Sequence, residues 1–232
     1  RKGKRWYEGT ADAIYQNMGF MELEEPDQVC IFGSDHIYKM DIKQMLDFHK
    51  EKNAALTVSA LRMPLSEASE FGVIEVDAEG RMIGFEEKPA NPKCIPGQPG
   101  IALVSMGNYI FNTDFLFDLL EKDGKDPDSE HDFGKNVIPS IVENNKVYAY
   151  PFRDPETNQL AYWRDVGSLD AFWEANMELI SPKPELNLYD PQWPMWTYQA
   201  QFPPATFVFD DDDRRGMAVD STVSGGCIIT GS

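Results

Sequence analysis

An apolar run, Val29-Cys30-Ile31-Phe32, ends abruptly at Gly33-Ser34-Asp35-His36, a turn that carries a carboxylate. Ligands of open α/β sheets collect beyond the carboxyl ends of strands, so Asp35 stands where chemistry is expected. A hard cation such as Mg²⁺ takes one or two carboxylates together with phosphate oxygens and water. Asp165, in Trp163-Arg164-Asp165-Val166-Gly167, supplies a second carboxylate. Each aspartate could equally cap a neighbouring turn or helix, and spacing does not separate these roles. In Glu87-Lys88-Pro89 the fixed φ of proline sets the chain direction so that Lys88 can project into a ligand site. Its attraction for one phosphate charge at ~4 Å is roughly 4 kcal/mol at an effective dielectric near 20, before desolvation. The other reading of Lys88 is a solvated loop lysine.

Weaker signals surround these three. Trp6-Tyr7-Glu8-Gly9-Thr10 precedes a helical pattern, where free N–H groups receive an anion or a hydrophobic staple closes over a threonine cap. Phe71-Gly72-Val73 and Ser105-Met106-Gly107 put small residues at expected strand edges, open to a ligand or serving ordinary turn chemistry. His36, His49 and His131 show no metal-ligand spacing. No Ser/His/Asp or Cys/His arrangement is present, which leaves nucleophilic hydrolysis without support.

The elements that must position these residues follow from the hydrophobic pattern. Ala13, Ile14, Asn17, Met18 and Met21 form one helical face capped by Thr10 or Gly9, and Val29–Phe32 has the length of a buried strand. An amphipathic stretch over 42–50 and a strand over 55–61 complete a βαβ unit. Runs at 73–76 and 82–85 flank Asp77-Ala78-Glu79-Gly80 as a hairpin, and 89–100 is a surface loop. Strands at 107–111 and 147–150 and helices at 113–121, 133–143 and 168–179 continue the alternation, so the pattern predicts an α/β fold with helices covering a sheet. Ser181-Pro182-Lys183-Pro184 stops the last helix. The expected division is a catalytic domain over 1–181, a connector over 182–216 and a further domain beginning at 217. In that last stretch Val219, Val223 and Ile229 hint at the first coil of a parallel β-helix. The acidic run Asp210 to Asp213 reads as a solvated loop, with a metal site as the minor alternative.

The 232 residues carry 21 Lys+Arg against 39 Asp+Glu, a formal charge of −18, with no basic stripe to offset it, which argues against a nucleic-acid partner. No apolar run approaches the ~20 residues of a membrane span. Three scattered cysteines suggest a reducing, cytoplasmic compartment. The start at Arg1 and the stop at Gly231-Ser232 suggest a piece of a longer chain.

Seven segments in order, among them Trp6–Ala13, Gly33–Lys39, Glu87–Pro92, His131–Lys135 and Tyr162–Gly167, together resemble the bacterial glucose-1-phosphate adenylyltransferase family of the glycogen pathway. The closing Val223-Ser224-Gly225-Gly226-Cys227 resembles the opening of that family's left-handed β-helix. The resemblance implies a Rossmann-like nucleotidyltransferase domain with a mixed sheet, followed by the connector and the β-helix. It implies that the phosphate of α-D-glucose 1-phosphate attacks the α-phosphorus of ATP, releasing pyrophosphate. Asp35 and Asp165 would hold Mg²⁺ and Lys88 would bind the sugar phosphate, these three forming the catalytic set. Tyr7, Gly72, Glu87 and Ser105 would line the sugar pocket, and Asp132 and Trp163 would support it. An allosterically regulated homotetramer is implied for the full-length protein, with this piece inactive alone. The Gly-rich nucleotide loop of the family is not in this sequence, so a UTP- or dTTP-using relative and a non-catalytic regulatory subunit stay open.

Overall fold

The computed structural model describes residues 6–153, 161–198, 200–209 and 213–231. The helical face expected after Thr10 is two short helices, α1 (Thr10–Tyr15) and α2 (Met18–Glu22). The break falls at Asn17, whose side chain donates to the Ala13 carbonyl at 2.7 Å, a local bond that competes with the helical ladder. Next come β1 (Gln28–Ile31), β2 (His36–Tyr38), α3 (Ile42–Glu51) and β3 (Leu56–Pro64). The hairpin over β4 (Gly72–Val76) and β5 (Met82–Glu87) forms as its turn residues require. The rest of the alternation is β6 (Ile101–Asn112), α4 (Thr113–Asp123), α5 (Ile138–Ile141), β7 (Val147–Pro151), β8 (Trp163–Asp165) and α6 (Leu169–Glu178). The helix expected over 133–143 opens with one π turn, Phe133–Val137, before α5.

The molecule packs as two compact units. The larger holds the described residues up to Ser34 and from Met40 to Ala161; the smaller holds Asp35–Lys39 and the residues from Tyr162 onward.

The larger unit is a mixed sheet in the order β5-β4-β6-β3-β7, with β1 also on β6. β6 is its centre; β3 is antiparallel to β6 and parallel to β7, and its first five residues, Leu56–Ala60, are all buried, the polar Thr57 and Ser59 included. β1 and β3 lie on opposite edges of β6, both antiparallel to it, so the expected βαβ unit exists with another strand between its two parallel members. Among the described residues β1 pairs with β6 alone. Of its residues only Val29 is buried and Cys30 is exposed, which corrects the expectation of a buried strand. Leu56, Val58, Phe111, Leu116, Leu120 and Ile138 form the core beneath the helices. Full burial of each such side chain is worth about 1.5–3 kcal/mol.

In the smaller unit β2 and β8 pair antiparallel, and α6 follows with the Ser168 hydroxyl accepting from the Ala171 N–H at 3.2 Å as its cap. Further on, β9 (Thr206–Phe207) and β10 (Ile228–Ile229) pair in parallel. The Val208 N–H donates to the Ile229 carbonyl and the Gly216 N–H to the Val208 carbonyl, stacking successive passes of chain. The strand on which β10 stacks thus precedes Met217. Val219 is exposed. Asp210–Asp212 of the acidic run lie outside the described residues.

Candidate active site

The smaller unit brings two of the expected residues together. The register of β2 on β8 sets His36 opposite Asp165, so Asp35, one residue before β2, comes beside Asp165 from 130 positions away in sequence. The backbone reinforces the meeting, since the Val166 N–H donates to the Asp35 carbonyl at 2.9 Å. One ligand atom each from Asp35, His36 and Asp165 lie within 4.8 Å of one another. Asp165 Oδ1 accepts from the Gly167 N–H at 2.7 Å, which fixes its rotamer and leaves Oδ2 uncommitted by that bond. A Cβ on Gly167 would stand 3.0 Å from Asp165 Oδ1 and 3.5 Å from Asp35 Oδ2, so glycine keeps the space around both carboxylates open. Two carboxylates with free volume between them and solvent suit a hard divalent cation that keeps part of its water shell.

His36 is the residue that sequence reasoning passed over. Its Nε2 lies 3.5 Å from Asp35 Oδ1, its ring stands edge-on to Trp163 at 5.3 Å, and its Nδ1 is buried with no hydrogen-bond partner among the described residues. Spacing along the chain carries no signal for it, because strand pairing rather than sequence proximity assembles the group.

β8 is only three residues long and is tied to α6 by a charged clamp. Glu178 accepts from Arg164 Nε and Nη2 at 3.2 and 2.9 Å on one oxygen and from the Tyr162 hydroxyl at 2.8 Å on the other. Burial, then the hydrogen bond to Glu178, pushes the Tyr162 phenol up to about 12. Burial works to raise the Glu178 carboxyl, but the bonds from Tyr162 and Arg164 outweigh it and hold it below the ordinary carboxylate range. Trp163 and Asp165, flanking Arg164, are thereby held in place.

The larger unit gathers the other expected residues around Glu87, at the end of β5. Glu87 fits only because two glycines face it: a Cβ on Gly134 would overlap its Oε2, and one on Gly72 would lie 2.8 Å from the same oxygen and overlap the Phe85 ring. The close approach that Gly72 serves is thus to Glu87 and Phe85. Burial first, then the neighbouring Asp132 charge, raises the Glu87 carboxyl above its ordinary value, with Lys88 and Lys135 partly offsetting. Lys88 follows in a left-handed conformation, φ +46°, with its N–H donating to the Phe71 carbonyl at 3.1 Å. A non-glycine residue held there stores strain that the surrounding structure must support.

Ser105-Met106-Gly107 is not at a strand edge. It lies inside the twelve-residue β6, where the pairing jumps from Val58↔Tyr109 to Ala60↔Ser105 and Gly107 takes φ +72°. This irregularity turns Ser105 inward: its Oγ accepts from the Gly107 N–H at 3.1 Å and bonds the Tyr109 hydroxyl. Burial, with Glu87 and Asp132 nearby, raises the Tyr109 phenol well above its usual range. Tyr109 is a second member that spacing did not reveal.

Asp132 caps the π turn, accepting from the Gly134 and Lys135 N–H groups at 2.9 and 3.0 Å, and its other oxygen accepts from the Thr10 hydroxyl at 2.9 Å. It positions Gly134, and through it Glu87. The start of α1 is neither an anion site nor a threonine-capped staple. The Ala11 and Asp12 N–H groups donate to the His131 carbonyl at 2.8 and 3.3 Å, and the Thr10 hydroxyl is committed to Asp132. Tyr7 is half exposed, its hydroxyl accepting from Asn17 Nδ2 at 3.0 Å. His49 is a core histidine between Thr57 and Asn112, and His131 bonds Asp123.

The chain is 59% identical over 233 residues to a glucose-1-phosphate adenylyltransferase of Shewanella sp. (strain MR-4), covering 100% of this chain and 56% of that protein. It is 61% identical over 238 residues to glucose-1-phosphate adenylyltransferase 1 of Vibrio parahaemolyticus, covering 100% and 58%, and 58% identical over 232 residues to the Saccharophagus degradans enzyme of the same name, covering 100% and 55%. The chain thus spans a little over half the length of these relatives. Residues 203–232 match the GlmU-like C-terminal hexapeptide family. Residues 1–181, which hold both carboxylate clusters, match the nucleotidyl transferase family model, and the chain belongs to that family.

Proposed function

We propose that the whole protein transfers the adenylyl group of ATP to α-D-glucose 1-phosphate, giving ADP-glucose and pyrophosphate for glucan synthesis. The observation that carries this reading is the meeting of Asp35 and Asp165 in a chain whose relatives at 58–61% identity bear the name of that activity. A phosphate oxygen of the sugar phosphate forms a bond to the α-phosphorus, and the bond from that phosphorus to the bridging oxygen of pyrophosphate breaks. Such a transfer needs positioning and charge neutralisation, with no protein nucleophile.

Lys88 neutralises the sugar phosphate. The Glu87 carboxylate accepts hydrogen bonds from sugar hydroxyls, with Ser105, Gly72 and Tyr7 lining the same pocket. Asp132 and Trp163 act as supports, one through Gly134 and the other beside His36. Asp35 and Asp165 are the residues that would hold Mg²⁺, which when bound neutralises the negative charge of the triphosphate and of its leaving group. In a chain of charge −18, lysine and a carboxylate-held cation are what allow anionic substrates to bind.

The finer architecture follows the same reading: a Rossmann-like catalytic domain over 1–181, a connector over 182–216 and the first coil of a left-handed β-helix from 217. The parallel β9–β10 pair and the hexapeptide match from residue 203 support a coil that begins earlier than 217. We assign the full-length protein to an allosterically regulated homotetramer in the cytoplasm. The three free cysteines fit a reducing compartment, and no helix among the described residues is long and apolar enough to cross a membrane.

The test is pyrophosphate release by the full-length protein with glucose 1-phosphate, Mg²⁺ and, in turn, ATP, UTP and dTTP. Turnover with ATP that falls about 10²–10³-fold in Asp35→Asn is expected. Preference for UTP or dTTP would move the protein to another pathway, and unchanged turnover in Asp35→Asn would sink the assignment of the metal site.

A further inference from the structure

The larger unit contains a cavity of about 310 Å³ whose lining includes none of the residues given a role above. It opens where the 77–80 turn of the hairpin, the end of α3 and the ends of β3 and β7 come together. Phe48, Leu103 and Phe152 give it apolar walls. Lys52, Arg62 and Arg153 also line it, against the single carboxylate of Glu79. In a protein with 21 basic and 39 acidic residues, the described lining residues, three cations to one acid, reverse the balance of the chain.

The placement of these cations follows from the sheet. β3 and β7 run parallel with Ala60 opposite Pro151, and the Phe152 N–H donates to the Ala60 carbonyl at 2.8 Å. Arg62 comes two residues later on β3, and Arg153 comes two residues after Pro151, past the end of β7. Lys52 is held at the same end by the rings of Phe48 and Tyr148, 5.8 and 5.6 Å from its Nζ, and by the Glu79 carbonyl at 3.5 Å.

We propose that this cavity binds a small organic anion with a flat apolar body, its acidic group held by Arg62, Arg153 and Lys52 and its body lying on Phe48, Leu103 and Phe152. An inorganic anion would leave the apolar walls in water, and a neutral hydrocarbon would gain nothing from the three cations. The volume is at the lower end of small-molecule pockets, which suits one fused ring system and excludes a dinucleotide. The proposal does not depend on the adenylyl-transfer reading, because none of these residues belongs to the proposed active site.

Two probes of nearly equal shape test it on the full-length protein: 8-anilino-1-naphthalenesulfonate, which is anionic, and N-phenyl-1-naphthylamine, which is not. Calorimetric titration should reveal one sulfonate site per chain whose affinity falls at least about tenfold in Arg62→Gln and again in Arg62→Gln/Arg153→Gln, with amine binding changed less than about twofold. Ala78→Trp, on the exposed hairpin turn, should close the mouth and abolish both without altering far-ultraviolet circular dichroism or the thermal midpoint. A sulfonate affinity indifferent to the arginines, or equal loss of both probes in the arginine variants, would overturn the proposal.

Discussion

The two carboxylate clusters are built on opposite principles. Around Glu87 the protein removes side chains: Gly72 and Gly134 yield their Cβ volume, and burial makes the charged form of Glu87 unfavourable. Around Asp165 it adds tethers: a three-residue strand held by one antiparallel partner, one backbone N–H and a salt-bridge clamp leaves the carboxylates partly open to water. The first arrangement gives selectivity by shape and by a desolvated acceptor. The second gives two adjacent carboxylates that stay accessible to solvent. A sugar pocket needs the former and a cation with its own water shell needs the latter.

Single substitutions should separate the two designs. The largest effect is expected from Asp165→Asn, a loss of about 10²–10³-fold in kcat with little change in KM for glucose 1-phosphate, read by steady-state pyrophosphate release. Gly134→Ala should act on the other side. Its methyl group must displace Glu87, so KM for glucose 1-phosphate should rise about tenfold or more while the Mg²⁺ requirement stays as it was. If Gly134→Ala shifted the Mg²⁺ requirement instead, the division of labour between the clusters would be wrong.

Glu178→Gln should raise the Mg²⁺ concentration for half-maximal rate severalfold, on the order of 1 kcal/mol, through loss of the clamp on β8. Glu178→Asp, which keeps the charge, should recover part of it. The clamp's stability contribution has a definite pH window. The Glu178 carboxyl is depressed in the folded state, so the contribution is present above its ordinary pKa of 4.5 and is lost as pH falls through the folded value.

The smallest effect is on stability and has the reverse sign. The Glu87 carboxyl is raised, so its favourable contribution is complete below the ordinary pKa of 4.5 and is lost as pH rises through the folded value. Glu87→Gln should therefore raise the thermal midpoint at neutral pH by about 1–2 °C, with the gain vanishing in acid, while sugar-phosphate binding weakens. A neutral-pH midpoint that fell would show that Glu87 is stabilised in its charged form.

The sequence carries the local elements well, because each rests on contiguous signals. The amphipathic period over 42–50, the Asp-Ala-Glu-Gly turn and the strand-like run over 55–61 all become what their patterns require. What was not legible depends on partners distant in the chain. β1 reads as buried because its residues are apolar, yet its one partner among the described residues, β6, lies some eighty residues later. The inward turn of Ser105 depends on a register jump against β3, which a pattern of small residues mistakes for a strand end. The motif residues Asp35 and Asp165 do lie together, whereas His36 carried no signal in the sequence, since only the β2–β8 register puts it beside them.

That register also has a kinetic side. Pairing Tyr38 with Trp163 closes a loop of roughly 125 residues, which costs roughly 2 kcal/mol more than a ten-residue hairpin would. The chain between Ser34 and Met40 leaves the larger unit, lends one strand to the smaller and returns, so on a ribosome that strand must wait unpaired until nearly all of the larger unit has been made. The amides of residues 36–38 should be among the last to gain protection from hydrogen exchange during refolding, and Asp35 and Asp165 meet only at the close of the protein's own folding.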